Sequence, residues 1–250
     1  MHNKVTITVV VPAYNEEHFI GKCLQSINQQ QLPPNVEVET IVVLNRCTDA
    51  TESIALEHGA RLIRENAKNI SKIRNAGVHA ASGEWVVTID ADSWMSAHVL
   101  SDIVQHAQDP KVIGGGIKIR PERWSLGIAA GYAAVLIPAF FMRLSYGLYW
   151  FRRTDFLCIQ GFNENLYIAE DLDFLHRLKR HGKNTQRRCI KITSSRIVTS
   201  CRKFDQFGDW HFLRLFGNLK RTRQAAYGKN QHYLDKNWYE VRSNGKDKRS

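Results

Sequence analysis

Apolar residues along the chain fall into short continuous runs, and between them the hydrophobic period lengthens to that of a helix. Residues 5–11 (VTITVVV) are almost wholly apolar, the pattern of a strand buried on both faces. After the polar segment Pro12-Ala13-Tyr14-Asn15-Glu16-Glu17, the residues Phe19, Ile20, Cys23, Leu24 and Ile27 recur at helical spacing. The polar run Gln29-Gln30-Gln31 before Pro33-Pro34 reads as a loop. A second apolar run, residues 38–44, gives way to Asn45-Arg46-Cys47-Thr48-Asp49-Ala50-Thr51, and a second helix follows through Ile54, Ala55 and Leu56. Residues 71–81 predict a third helix, which leads into residues 84–89 (EWVVTI), strand-like in their β-branched and aromatic content. This alternation predicts an α/β fold with a central, mostly parallel sheet flanked by helices. Ligands of such sheets bind beyond the carboxyl ends of the strands. The polar segments starting at Pro12, Asn45 and Asp90 all lie at that edge.

The chemistry concentrates in two short acidic motifs. Asp90-Ala91-Asp92 ends the run 84–89, and Glu170-Asp171 opens an amphipathic helix eighty residues later. Two ionised carboxylates at the end of a buried strand repel each other unless a cation, a donor or a raised pKa compensates. Mg²⁺ or Mn²⁺ suits them, because such ions are held by one or two carboxylates together with substrate phosphates. The competing reading is local: Asp90 or Asp92 caps a helix beginning near Ser93 or Ser96. Glu170 and Asp171 have a local reading too, as first-turn acids favoured by the helix dipole.

In combination these segments resemble the inverting family 2 glycosyltransferases of the GT-A fold, over roughly residues 5–205. Pro12-Ala13-Tyr14-Asn15-Glu16-Glu17 looks like that family's opening nucleotide-binding loop, which implies that Tyr14 and Glu16 approach base and ribose. Asn45 to Thr51, including Asp49, is similar to its second loop, and Arg74-Asn75-Ala76-Gly77 to the helix that carries an Arg toward the nucleotide. Asp90-Ala91-Asp92 matches the metal motif, implying that Asp92 holds the metal and Asp90 approaches both ribose and metal. Gly161-Phe162-Asn163-Glu164, followed by Glu170-Asp171, resembles the acceptor-side segment in which the Asp is the general base. Thr199-Ser200-Cys201-Arg202-Lys203 resembles a late basic segment near the diphosphate. One departure stands out: many relatives carry two consecutive acids where this chain has Leu44-Asn45, which leaves UDP, GDP and dTDP sugars open as donors.

The reaction asks for the same residue types on its own terms. Breaking a bond between sugar and phosphate leaves a more negative nucleoside diphosphate, which a divalent cation and basic side chains stabilise. Asp92, Arg202 and Lys203 meet that need. The acceptor hydroxyl must lose a proton, and Asp171 is the candidate base, with Glu170 beside it. One base without a carboxylate nucleophile implies inversion, by analogy with the paired-carboxylate glycosidases. Two other classes compete: a non-catalytic binding module built on the basic carboxyl-terminal third, and a nucleotidyltransferase. The latter is expected to carry a Gly-rich loop with a Lys near the first strand, and residues 12–17 contain neither.

Charge and composition add a partner. Residues 1–173 carry 15 Lys and Arg against 19 Asp and Glu, whereas residues 174–250 carry 20 against 5. Aromatics are interleaved through that basic third (Phe204, Phe207, Trp210, Phe212, Phe216, Tyr227, Tyr233, Trp238 and Tyr239). An anionic membrane surface is the expected partner, ahead of nucleic acid. Residues 125–142 (SLGIAAGYAAVLIPAFFM) hold no charge and are long enough for a span. A span there would put the two acidic motifs on opposite sides of the bilayer, so a buried or in-plane helix beside the acceptor channel is expected instead. A strand over 146–151 then returns the chain to the sheet. Five cysteines without a C-x-x-C pair indicate neither a disulfide framework nor a zinc site, and the amino terminus lacks the pattern of a signal peptide. The expected organisation is a transferase domain over 1–205, with a nucleotide-sugar half (1–120) and an acceptor half (121–205), then a basic extension over 206–250. The expected setting is the cytoplasmic face of a membrane, with a nucleoside-diphosphate sugar as donor and a glycan or lipid-linked acceptor.

Overall fold

The structure, a computed structural model, describes residues 5–141, 148–211, 213–214 and 227–228. In chain order the elements are β1 (Val5–Ala13), α1 (Ile20–Asn28), β2 (Val36–Leu44), α2 (Thr51–Glu57), β3 (Arg61–Arg64), α3 (Ile70–Ala80), β4 (Trp85–Thr88), β5 (Ser93–Met95), α4 (Val99–Ala107), β6 (Val112–Pro121), α5 (Leu126–Phe141), β7 (Tyr149–Arg152), α6 (Arg153–Cys158), α7 (Glu170–Asn184), β8 (Arg188–Thr199) and α8 (Arg202–Phe207). The strands form one sheet in the order β3-β2-β1-β4-β7-β6-β8-β5. β3, β2, β1 and β4 run parallel, β7 is inserted antiparallel between β4 and β6, and β8 lies parallel to β6.

Strand alternation builds a core on each face of the sheet. Ile7, Val9 and Val11 of β1 join one cluster with Ile20 and Leu24 of α1 and Ile103 of α4. Val10, with Ile41 and Val43 of β2, joins the other, against Ile73 of α3 and Phe174 and Leu178 of α7. β1 runs two residues further than the apolar pattern, through Pro12 and Ala13. A proline at this central position is tolerated for a geometric reason. Ala13 O accepts from Asn45 N–H on the β2 side, while Val10 O accepts from Ile89 N–H on the β4 side. Pro12 therefore directs its missing donor toward β4, beyond the last paired residues Val10 and Thr88.

Two unexpected strands matter for the site. β5 occupies Ser93–Met95 and pairs antiparallel with Ile197–Thr199 of β8, and α4 starts only at Val99, with His98 at its N-cap position. Neither Asp90 nor Asp92 caps a helix, and the motif instead bridges β4 to the far edge of the sheet. The pairing is reinforced by a 3.0 Å hydrogen bond between Ser93 Oγ and Thr199 Oγ1. In β6, Gly114, Gly115 and Gly116 face Phe151, Trp150 and Tyr149 of β7. A Cβ on Gly115 would lie 1.7 Å from Ile190 O of β8, so only glycine lets these strands close around the aromatic triplet.

α5 covers most of the uncharged run, with Ile128 packed on Cys201 and Phe204 and with Leu126 exposed. Among the described residues, no helix is long and apolar enough to cross a membrane. Tyr146 and Gly147, expected in a strand, lie outside the described residues, as do most positions of the basic extension. The boundary expected at 205 falls inside α8. All five cysteines are free thiols.

Candidate active site

α3 brings the separate motifs together, and Gly77 lets it do so. A Cβ at Gly77 would stand 2.3 Å from Val10 Cγ1 and 2.8 Å from Val43 Cγ2, so the helix lies hard against β1 and β2. One turn earlier, buried Arg74 projects at the carboxyl edge of the sheet. Its Nη2 donates to Asp90 Oδ1 at 2.9 Å and its Nη1 to Glu170 Oε1 at 2.6 Å. Next to it, Asn75 clamps the acceptor-side segment. Its Nδ2 donates to Phe162 O and Glu164 Oε1, and its Oδ1 accepts the Phe162 N–H. Gly161 turns there at φ +64, where a Cβ would lie 2.7 Å from Asn75 Oδ1. Glycine alone suits both the left-handed backbone and the close approach.

A second bridge stands at the same edge. Arg202, at the start of α8, donates to both oxygens of buried Glu16, and its Nη2 lies 2.9 Å from Asp92 Oδ2. Asp92 is further held by Ser200, whose N–H donates to Asp92 O at 2.9 Å and whose Oγ donates to Oδ2 at 3.3 Å. Burial pulls the Arg202 guanidinium down, but Asp92 and Glu16 more than offset it and its pKa is raised. Arg74 is raised likewise, by Asp90 and Glu170 against burial. Both stay cationic, and they face five acids: Glu16, Asp90, Asp92, Glu170 and Asp171. Asp90 keeps 53% of its side chain exposed. Excess negative charge with hard oxygen donors at the open edge fits a divalent cation better than it fits a bare diphosphate. Among the described residues, no three His, Cys, Asp or Glu side chains form a cage for a metal, and this cation class does not require one.

Glu170 and Asp171 differ sharply. Glu170 is buried on Arg74, and its carboxyl is pushed up to about 7 by burial first and then by Asp171, with Arg74 pulling the other way. Asp171 is half-buried. Its Oδ2 accepts from Tyr149 Oη at 3.0 Å and its Oδ1 from Leu172 N–H.

The nucleotide-loop residues divide in a way the motifs did not foretell. Asn45 is buried and spends both amide hydrogens on Glu65 O and Ala67 O, while its Oδ1 accepts from Arg46. Asp49 ties the two loops together, with Oδ2 accepting Glu17 N–H and Oδ1 accepting from Thr51. Thr51 Oγ1 in turn receives Glu16 N–H. Tyr14 is partly exposed with the Arg46 guanidinium 4.9 Å over its ring, and Ala13 is buried at the end of β1. Lys203 acts on His211, whose pKa is lowered by burial, Lys203 and Arg214.

The profile of the family described as Glycosyl transferase family 2 matches residues 8–167. The chain belongs to glycosyltransferase family 2. Poly(ribitol-phosphate) beta-N-acetylglucosaminyltransferase TarS of Staphylococcus aureus (strain Mu50) is 31% identical over 116 residues, 42% of this chain and 20% of that protein. Putative glycosyltransferase EpsH of Bacillus subtilis (strain 168) is 29% identical over 108 residues, 41% of this chain and 30% of that protein. The match spans a third or less of the length of these curated relatives. Among solved structures, TarS residues 1–349 in complex with UDP-GlcNAc superpose with a TM-score of 0.63 at 20% identity, over 78% of this chain and 58% of that one. Mannosyltransferase PcManGT from Pyrobaculum calidifontis, in complex with GDP-Man and Mn²⁺, gives 0.61 at 24% identity, over 77% and 56%. The likeness is one of fold, and this family 2 chain has the GT-A architecture of those neighbours.

In the family 2 chain, the motifs read from sequence meet through two guanidiniums. Sequence reading placed Ser200 and Thr51 in their motifs without a role of their own, and gave none to Tyr149. Tyr149 was legible in principle, since strand alternation puts it on the α7 face with Phe151.

Proposed function

We propose that this chain moves a sugar from a nucleoside-diphosphate sugar to an acceptor hydroxyl with inversion, on a surface glycan or a lipid-linked precursor, at an anionic membrane surface. The observation that carries this is the double bridge: Arg74 joins Asp90 to Glu170, and Arg202 joins Glu16 to Asp92. Donor-side and acceptor-side carboxylates are thereby assembled at one sheet edge, as a single displacement requires. The Mn²⁺ bound by a structural neighbour supports a divalent cation here, and Asp90 and Asp92 would hold it. Such a cation, Mn²⁺ or Mg²⁺, supplies charge stabilisation to the departing diphosphate.

The chain's own residues do the rest. Tyr14, partly exposed, borders the space for the base, while buried Glu16 holds Arg202 with both oxygens, and Arg202 keeps positive charge beside the leaving group. Asp171 takes the acceptor proton as the acceptor oxygen bonds to the anomeric carbon. The bond from that carbon to the diphosphate oxygen breaks, and its electron pair leaves with the nucleotide. Asp171 suits this role better than Glu170, because it is accessible while Glu170 is buried and locked on Arg74. Because Asn45 and Asp49 spend their side chains on contacts within the protein, base recognition falls to Tyr14 and the backbone of the two loops, which leaves UDP, GDP and dTDP sugars open as donors.

The test is nucleoside diphosphate release from UDP-GlcNAc and GDP-mannose with Mn²⁺, water serving as acceptor. Asp171→Asn is expected to lower turnover by roughly 10²-fold or more with donor affinity retained, and Glu170→Gln to lower it less. Near-normal turnover in Asp171→Asn together with loss in Glu170→Gln exchanges the two roles. Full activity in both variants rejects the catalytic reading of this segment.

A further inference from the structure

Tyr149 is a buried phenol at the centre of the sheet, and its position follows from three independent features. It sits opposite Thr88 of β4, two residues before Asp90, and opposite Gly116 of β6. Strand alternation sends Trp150 to one face of the sheet and Tyr149 with Phe151 to the other. Phe151 packs on Phe174 of α7 with ring centroids 4.9 Å apart, and Phe174 lies three residues after Asp171, on the same face of that helix. The glycine run of β6 supplies the room. The phenol thus reaches α7 where Asp171 stands, and its Oη donates to Asp171 Oδ2 at 3.0 Å.

We infer that Tyr149 is a positioning residue for the acceptor-side base, holding the Asp171 carboxylate in the orientation that receives the acceptor's proton. The inference rests on Asp171 being that base. Burial, and then the negative charge of Asp171, raise the phenol's pKa well above its ordinary value, so the hydroxyl stays a donor throughout the working pH range. The Leu172 N–H takes the other oxygen. With both oxygens held, Asp171 is kept from turning toward Arg74, whose charge it already feels. The competing account is that Asp171 merely satisfies a buried hydroxyl. The two accounts differ in what happens to the carboxylate when the hydroxyl is removed.

Tyr149→Phe keeps the ring and deletes only the donor. The expected result, in nucleoside diphosphate release from UDP-GlcNAc or GDP-mannose with Mn²⁺ and water as acceptor, is a fall in kcat on the order of 10-fold, with donor KM unchanged. In an Asp171→Asn background the same substitution should change kcat by less than about twofold, since two residues that act as a unit are not additive. A crystal structure of Tyr149→Phe should show the Asp171 carboxylate rotated. An unchanged kcat, an equal loss in both backgrounds, or an unmoved carboxylate overturns the proposal. Wild-type turnover in Asp171→Asn alone is a different result and removes the assignment of the base itself. The crystallographic arm decides the positioning role even where turnover in water is too slow to measure.

Discussion

At the scale of single residues, the site is an arrangement of carboxylates that two guanidiniums hold together, and each pairing has its own consequence. Asp92 accepts from Arg202 and Ser200, so Asp92→Ala removes a candidate cation ligand while Arg202 keeps Glu16. Calorimetry should show UDP and GDP binding in this variant without the Mn²⁺ enhancement of the parent, with the fold intact; parental Mn²⁺-dependent affinity would refute the assignment. Glu170 carries the pH consequence. Its carboxyl is pushed up to about 7 from an ordinary value near 4.5, so the folded state binds its proton more tightly than the unfolded chain does. That contribution to stability is fully present below about 4.5 and is lost as pH rises through about 7. Urea unfolding across this window should show the parent losing stability relative to Glu170→Gln, which has no proton to lose. Parallel curves for the two proteins would show that Arg74 already compensates the buried charge.

At the scale of elements, the legible part of the fold was the part written in buried apolar runs. β1, β2 and β4 are covered on both faces and read as near-continuous Val and Ile, and α1 to α3 carry one clear apolar stripe each. β6 hid because Gly114-Gly115-Gly116 resembles a loop, although the glycines are there to let β7 and β8 approach. β8 hid because polar residues stand exposed along much of it, and β5 is three residues long and exists only through its pairing with β8. That pairing overrides the competing reading of a helix beginning near Ser93 or Ser96. The site was legible as a set of motifs, but which residues touch was not. Asn45 and Asp49 look like ligand contacts in sequence and serve as internal ties in space. Asn75 shows how much rests on such ties, since its amide bonds both the Phe162 N–H and the Phe162 carbonyl. Asn75→Ala should cost about 2 kcal/mol by stranding those buried groups, measured by urea unfolding. It should also reduce turnover, because the segment leading to Glu170 loses its anchor. A loss below about 0.5 kcal/mol would mean that the 161–164 turn holds itself.

At the scale of the whole molecule, acidic and basic residues are segregated along the chain, and the segregation has a directional consequence. The acids that outnumber bases before residue 174 include the carboxylates gathered at the sheet edge, while the excess of Lys and Arg follows. Next to that edge, Arg123 pairs with Asp205 and Asp209, fastening the segment before α5 to α8 and to the residues just after it. Trp124, Leu126 and Trp210, all beside this fastening, leave large apolar surfaces exposed. Aromatic and aliphatic side chains flanked by basic residues suit the boundary between headgroups and acyl chains. Binding should then require acidic lipid, because each basic residue near an anionic surface contributes about 1 kcal/mol. It should weaken as ionic strength rises from about 0.15 M to about 1 M, which shortens screening from about 8 Å to about 3 Å. Sedimentation with neutral and with acidic liposomes at both salt concentrations checks this. The double variant Trp124→Ala with Trp210→Ala should reduce the acidic-lipid fraction bound at low salt by several-fold, since burying each indole adds to the electrostatic attraction. Equal partition into both lipids at both salts would point away from an electrostatic surface contact, and undiminished binding by the double variant would leave the basic third as its sole source.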